Sequence, residues 1–137
     1  MNEKLIEMEF LKGKIIKEIV IDKWNNDKIY FIADNDEVIK MFHEYDCCES
    51  VEIEEIIGDL KDLINSPILM SECETNYSKN SGESKTWTFY KLATIKGYVT
   101  IRWCGESNGY YSEEVDLKLL DYLPDLTNTS IYDRIVL

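Results

Sequence analysis

Trp87-Thr88-Phe89-Tyr90-Lys91-Leu92-Ala93-Thr94-Ile95-Lys96-Gly97-Tyr98-Val99-Thr100-Ile101-Arg102-Trp103-Cys104 is the stretch whose pattern decides the fold. Two runs rich in β-branched and aromatic residues alternate on either side of Lys96-Gly97, which predicts an antiparallel hairpin closed by a two-residue turn. With that turn, Ile95 opposes Tyr98, Leu92 opposes Ile101, Lys91 opposes Arg102 and Tyr90 opposes Trp103. One face then gathers Tyr90, Leu92, Val99, Ile101 and Trp103, apolar enough to be a core face. The other gathers Trp87, Phe89, Lys91, Tyr98, Thr100 and Arg102, aromatics mixed with cations.

Like charges directly opposite on a sheet are destabilising, so Lys91 against Arg102 requires an anion between them. Two sources are open: a ligand phosphate gripped by the Arg102 guanidinium, or a carboxylate of the chain itself such as Glu106, Glu113 or Asp116. The ligand reading gains from Trp87, Phe89 and Tyr98, because aromatic rings are stacking platforms for nucleobases. Asn108-Gly109 is a second hairpin signal, with Tyr110 to Leu117 as the returning strand. Asn108, Tyr110 and Tyr111 would add amide hydrogen bonds and stacking, or serve only as turn and strand residues. The candidate ligand-binding set is therefore Trp87, Phe89, Lys91, Tyr98, Arg102, Asn108, Tyr110 and Tyr111.

Working outward, Lys14 to Ile21, Lys28 to Ala33 and Glu37 to Phe42 alternate between polar turns at Asn25-Asn26-Asp27 and Asp34-Asn35-Asp36, a three-strand meander. Cys48 to Ile57 alternates again and stops at Gly58. Asp59 to Ile64 reads as a short helix with Asp59 as N-cap and Pro67 enforcing its end, and Ile68 to Cys73 as a further strand. Residues 76–85, rich in Ser, Asn, Lys and Gly, read as a flexible loop, and 124–137 as a C-terminal tail. Helical periodicity is found only in the first dozen residues and near Leu117 to Tyr122. The expectation is one α+β domain over 1–137, mainly antiparallel sheet of about six or seven strands with one to three short helices.

The formal net charge of −12 excludes general nucleic-acid binding, which needs clustered Lys and Arg. It leaves two other readings open: an ordinary solvated exterior, or an acidic surface that imitates nucleic acid toward a basic partner. Met1 to Glu9 carries acidic residues and no uninterrupted apolar run, so no secretory signal is read. No segment approaches the roughly 20 apolar residues of a membrane span. A cytoplasmic protein without membrane association is expected, and an oligomer with a site shared between protomers would suit so small a binder.

Cys47, Cys48, Cys73 and Cys104 are read as reduced thiols, since disulfides are not the default without a secretory signal and adjacent cysteines in an extended chain point in different directions. A zinc site drawing on His43, Cys47 or Cys48, Cys73 and Cys104 is chemically conceivable, but its spacing matches no known pattern. A Cys-His nucleophile at His43 and Cys47 would require the chain to bend back on itself. No phosphate-binding glycine loop, nucleophile elbow or metalloprotease helix motif is present. No cofactor, no resident metal and no catalytic residue are expected.

His43-Glu44-Tyr45-Asp46-Cys47-Cys48-Glu49-Ser50-Val51, Gly58-Asp59-Leu60 with Asp62-Leu63-Ile64 and Pro67-Ile68, Trp87-Thr88-Phe89-Tyr90, and Thr100-Ile101-Arg102-Trp103 with Gly105 to Ser112 form a specific set. As a set, spanning about residue 13 to residue 118, they resemble a family of small phage and prophage proteins. The resemblance carries no assigned activity and transfers no site residue. It implies a viral origin, and by analogy a role against host defence. One expectation is a non-catalytic protein that sequesters a nucleotide-derived immune signal of the cyclic-nucleotide or ADP-ribose type. The alternative is an acidic protein inhibitor that blocks a host defence effector by direct contact.

Overall fold

The computed structural model describes residues 3–23, 26–122, 124–125 and 132–135. In chain order the strands are β1 (Glu3–Leu5), β2 (Ile16–Asp22), β3 (Lys28–Ala33), β4 (Val38–Phe42), β5 (Ser50–Ile57), β6 (Met70–Asn80), β7 (Glu83–Thr94), β8 (Gly97–Ser107), β9 (Asp116–Leu120) and β10 (Tyr132–Ile135). The only helical elements among the described residues are two 3-10 turns, Met8–Leu11 and Leu60–Leu63. The protein is thus β-rich rather than α+β. Leu117 to Tyr122, expected as helical, supplies β9 instead, because its partners β1 and β4 impose an extended pairing that overrides local periodicity.

Two sheets form. The larger has the order β1-β9-β4-β3-β2-β10 and the smaller β5-β8-β7-β6, with every pairing antiparallel. The expected meander is present as β2, β3 and β4. Its alternation places Ile19, Ile21, Ile29, Phe31, Ile39 and Met41 on one side, where they share a core with Tyr90, Leu92, Val99, Ile101 and Trp103 of the smaller sheet. Val20, Tyr30, Ile32 and Val38 point the other way and make a second cluster with Leu120. Apolar residues on both faces explain why these strands read as nearly continuous hydrophobic runs.

The central hairpin forms with its turn one residue earlier than expected. Ile95 and Lys96 lie at the turn, Thr94 pairs with Gly97, and each residue meets the partner two places before the predicted one. The Thr94 hydroxyl fixes this turn by donating to the Asp62 carbonyl and accepting the Lys96 N–H at 3.1 Å. A slip of two keeps every side chain on its expected face. The core face is as predicted, but Arg102 now opposes Phe89, and Lys91 opposes Thr100.

Residues 76–85 are a correction. They are the distal part of a long hairpin, paired without interruption from Met70↔Ala93 to Asn80↔Glu83 and turning at Ser81-Gly82, where Gly82 has φ +76. Sequence alternation registers burial, and β6 is an exposed edge strand with almost none to register. Asn108-Gly109 likewise closes no hairpin: the chain leaves β8 and crosses to the larger sheet before β9 begins. The short helix at Asp59 is a 3-10 turn, with the Asp59 carboxylate accepting from the Lys61 N–H at 2.9 Å. Position 25 of the first expected turn and most of the tail from 124 lie outside the described residues, while Tyr132–Ile135 pairs with β2.

Candidate functional site

The outward face of the smaller sheet carries five of the eight predicted ligand residues: Trp87, Phe89 and Lys91 on β7, Tyr98 and Arg102 on β8. The sheet brings them to one side but also answers their charge. A bulge in β5 sets Ile53 against Trp103 and Glu55 against Arg102, leaving Glu54 as the extra residue. Both carboxylates converge on the guanidinium, Glu54 at 2.7 Å from Nε and Glu55 at 3.3 Å from Nη2. Lys91 is met by Glu74 of β6 at 2.6 Å, a hydrogen bond that lowers the Glu74 pKa and raises that of Lys91. With Lys91 and Arg102 not directly opposed, no shared anion is required; each cation has its own carboxylate, from β6 and β5 rather than from Glu106, Glu113 or Asp116.

The remaining three predicted residues stand apart. The Asn108 side chain accepts the Tyr110 N–H at 3.0 Å, which is turn chemistry. Tyr110 is 82% exposed, and its ring meets Tyr111 edge-on at 5.0 Å. Tyr98 projects from the end of the face nearest the 95–96 turn, far along the strands from Trp87.

At the opposite end of the same sheet lies a groove of about 710 Å³. Tyr45, Cys48, Glu49 and Ser50 form one wall; Ser78, Asn80, Glu83, Ser84, Lys85 and Trp87 of the β6–β7 hairpin form another, closed by Glu106 and Ser107 of β8. The Lys85 ammonium sits 5.4 Å from the Trp87 ring centroid and 3.0 Å from the Glu106 carboxylate, whose hydrogen bond raises the lysine pKa. Volume in this range suits a small organic ligand.

The first wall is held by a buried carboxylate. Glu49 accepts from the Asp46 N–H at 2.8 Å, the Cys47 N–H at 3.0 Å and the His43 ring at 2.8 Å. Burial alone would raise the Glu49 pKa, but the bonds from Cys47, His43 and Asp46 outweigh it and hold the group at about 2. The other ring nitrogen of His43, Nδ1, donates to the Glu114 carbonyl at 2.6 Å. Both ring nitrogens are therefore engaged, Nδ1 with the Glu114 carbonyl and Nε2 with the Glu49 carboxylate. Neither nitrogen is free to activate a thiol.

This folded loop also brings the side chains of the adjacent cysteines Cys47 and Cys48 together. The expectation that the adjacent cysteines point apart is corrected here: it holds for extended chain, and Glu49 bends residues 46–48 away from it. Cys104 is buried, and burial followed by the Glu54 charge pushes its thiol up to about 11. Cys73 is exposed on β6, its pKa also raised by burial of the thiol and by Glu7. Among the described residues no group of three or more His, Cys, Asp or Glu is placed to hold a metal ion.

A second buried carboxylate ties the β8–β9 connection to the same end. Glu113 accepts from the Thr86 hydroxyl at 2.7 Å and from the Ser107 hydroxyl. Gly105 makes room for it: a Cβ there would lie 2.8 Å from the Glu113 Cβ. The 43–50 loop, the distal part of the β6–β7 hairpin and the end of β8 therefore meet at one end of one sheet. Sequence reasoning missed Tyr45, Cys48, Ser78, Lys85 and Glu106 as a group, since their proximity comes from long-range packing. The dense polar run from His43 to Glu49 was the available signal.

The chain belongs to the family described as Domain of unknown function (DUF7448), whose model matches residues 9–117 and so includes every residue lining the groove. No curated protein and no solved structure matches the chain. No helix among the described residues is long and apolar enough to cross a membrane.

Proposed function

We propose that this member of the family is a non-catalytic binder that captures a small nucleotide-type ligand in the groove at the hairpin end of the smaller sheet. The observation that carries the reading is Trp87 beside Lys85 on the wall of the 710 Å³ groove. The indole offers a stacking surface for a base, and the hydroxyls of Ser50 and Ser78 suit the hydroxyls of a sugar. A phosphate would replace Glu106 on Lys85. Sequestration of a nucleotide-derived immune signal is the role that the likeness to phage proteins gives such a binder. Calorimetry against a panel of cyclic nucleotides, mononucleotides and ADP-ribose types tests it. A ligand should bind the parent protein and lose about 5–150-fold in affinity in Trp87→Ala, equivalent to the 1–3 kcal/mol of one stacking contact. No heat with any member of the panel would sink the reading.

One observation favours a second reading. Arg102, Lys91 and Lys85 are all matched by carboxylates, and the same face also presents Glu52 and Glu72, so it is acidic as a whole. Such a face suits contact with a basic surface of an effector protein. A complex that weakens steeply with salt and on reversal of Glu52 and Glu72, yet tolerates Trp87→Ala, would select this reading over capture.

A further inference from the structure

We infer that the outer edge of β6 is an interface for a second copy of this chain, the two β6 strands pairing antiparallel about a two-fold axis at Asn76 and joining both smaller sheets into one. β6 ends the order β5-β8-β7-β6 and is exposed from Glu72 to Asn80. It pairs with β7 along its whole length without a bulge and contains neither proline nor glycine. A long, regular, open edge is a template for another strand, and proteins ordinarily blunt one. The opposite edge of the same sheet is blunted: β5 is bulged at Glu54, carries Glu52, Glu54 and Glu55, and has its Ile53 N–H taken by the Asp27 carboxylate at 2.7 Å.

The backbone of β6 is set for such pairing. Asn80 and Glu83 flank a two-residue turn and so exchange hydrogen bonds, as do alternate residues back along β6. Cys73, Thr75, Tyr77 and Lys79 therefore turn their N–H and C=O groups to the open edge, enough for about eight backbone hydrogen bonds between two copies. Side chains lean over the sheet rather than across that edge: the Tyr77 hydroxyl accepts from Ser84 of β7 at 3.3 Å, and Glu74 reaches back to Lys91 at 2.6 Å.

Charge and length select the register. An axis at residue 72, 73 or 74 would set Glu72 and Glu74 against themselves or each other, and like charges directly opposite are destabilising. With the axis at Asn76, the exposed run 72–80 matches its own copy end to end. Glu74 then meets the partner's Ser78, and Glu72 the partner's Asn80. Thr75 meets the partner's Tyr77, covering a ring that is 63% exposed in the single chain. The partner's Lys79 comes opposite Cys73, beside which lies the negative charge of Glu7. Because Ser78 and Asn80 line the groove, each copy also brings Glu72 and Glu74 to the rim of the other's groove. The guarded β5 edges stop growth at two copies.

Sedimentation equilibrium of the full chain over a range of concentrations tests the inference. One strand edge is a small interface, so a monomer–dimer equilibrium with a Kd of about 1–100 µM is expected. Thr75→Pro removes an N–H that β7 does not use, and should leave monomer alone while keeping the parent's circular dichroism. Asn76→Glu and Asn76→Lys each set a charge against its own copy at the axis. Each should weaken the dimer by about twofold to fivefold, and an equimolar mixture of the two should recover the parent's affinity. Monomer alone in the parent protein would overturn the inference, as would a dimer that Thr75→Pro and both Asn76 variants leave unchanged. A mixture no tighter than either Asn76 variant would overturn the register. No nucleotide is used, so the outcome is separate from that of the capture reading.

Discussion

The middle and the hairpin end of the outward face of the smaller sheet hold similar residues in different circumstances. In the middle, Arg102 and Lys91 are each met by carboxylates from adjacent strands, and all partners are at least partly exposed. At the hairpin end, one carboxylate, Glu49, is enclosed with His43 and organises a loop that walls a cavity. Ion pairs in water-exposed ladders contribute little and shape nothing, whereas an enclosed pair fixes the chain around it. The cations that look most like an anion site are thus the least available to a ligand. The polar run that looks like a plain turn builds the concavity.

The largest expected effect comes from breaking the enclosed pair. His43→Ala leaves the Glu49 carboxylate buried without its ring partner and frees the Glu114 carbonyl, and should lower the thermal midpoint by roughly 10 °C or more. A change of less than about 2 °C by differential scanning calorimetry would show that the pair is not enclosed in solution. Gly105→Ala follows, because the new methyl would lie 2.8 Å from the Glu113 Cβ and 3.0 Å from its carbonyl oxygen. Overpacking of this kind costs about 1–3 kcal/mol, measurable as a shift of the urea midpoint.

Acid sharpens the same contrast. Glu49 titrates at about 2 in the folded chain, below the ordinary glutamate value of about 4.3. Its folded value is depressed, so its contribution is complete above pH ~4.3 and is lost as pH falls through about 2. Urea midpoints measured from pH 5 to pH 2 should fall in the parent protein, and Glu49→Gln should remove part of that slope while starting from a lower midpoint. An identical slope in both would assign the acid sensitivity to other carboxylates.

Much of the fold was legible because burial leaves a periodic trace. Val99, Ile101 and Trp103 could be placed on a core face, and the β2–β4 meander could be read, from alternation alone. The start of edge strand β6 was read at Ile68 to Cys73, but its distal half could not be, since exposed Asn76, Ser78 and Asn80 pair through backbone atoms that no side-chain pattern reports. The hairpin register failed by one turn residue because Thr94 and Asp62, 32 positions apart, decide it together. For the site, Trp87 was found as an aromatic on the outward face, but its neighbours Lys85, Cys48 and Tyr45 were not. Those contacts depend on where the 43–50 loop lands.

The smallest effects belong to the middle of the face, and they bear most directly on what Arg102 is for. Arg102→Ala removes two ion pairs at distances of 2.7 and 3.3 Å from a side chain that is about one-third exposed. Exposed pairs contribute about 0–1 kcal/mol, so the urea midpoint should hardly move. Lys91→Ala removes one such pair and should do less. In capture experiments both variants should keep the parent affinity within about twofold, against the larger loss expected for Trp87→Ala. If Arg102→Ala instead abolished binding while stability held, a ligand anion would have to displace both Glu54 and Glu55. The site would then lie in the middle of the sheet rather than at its hairpin end.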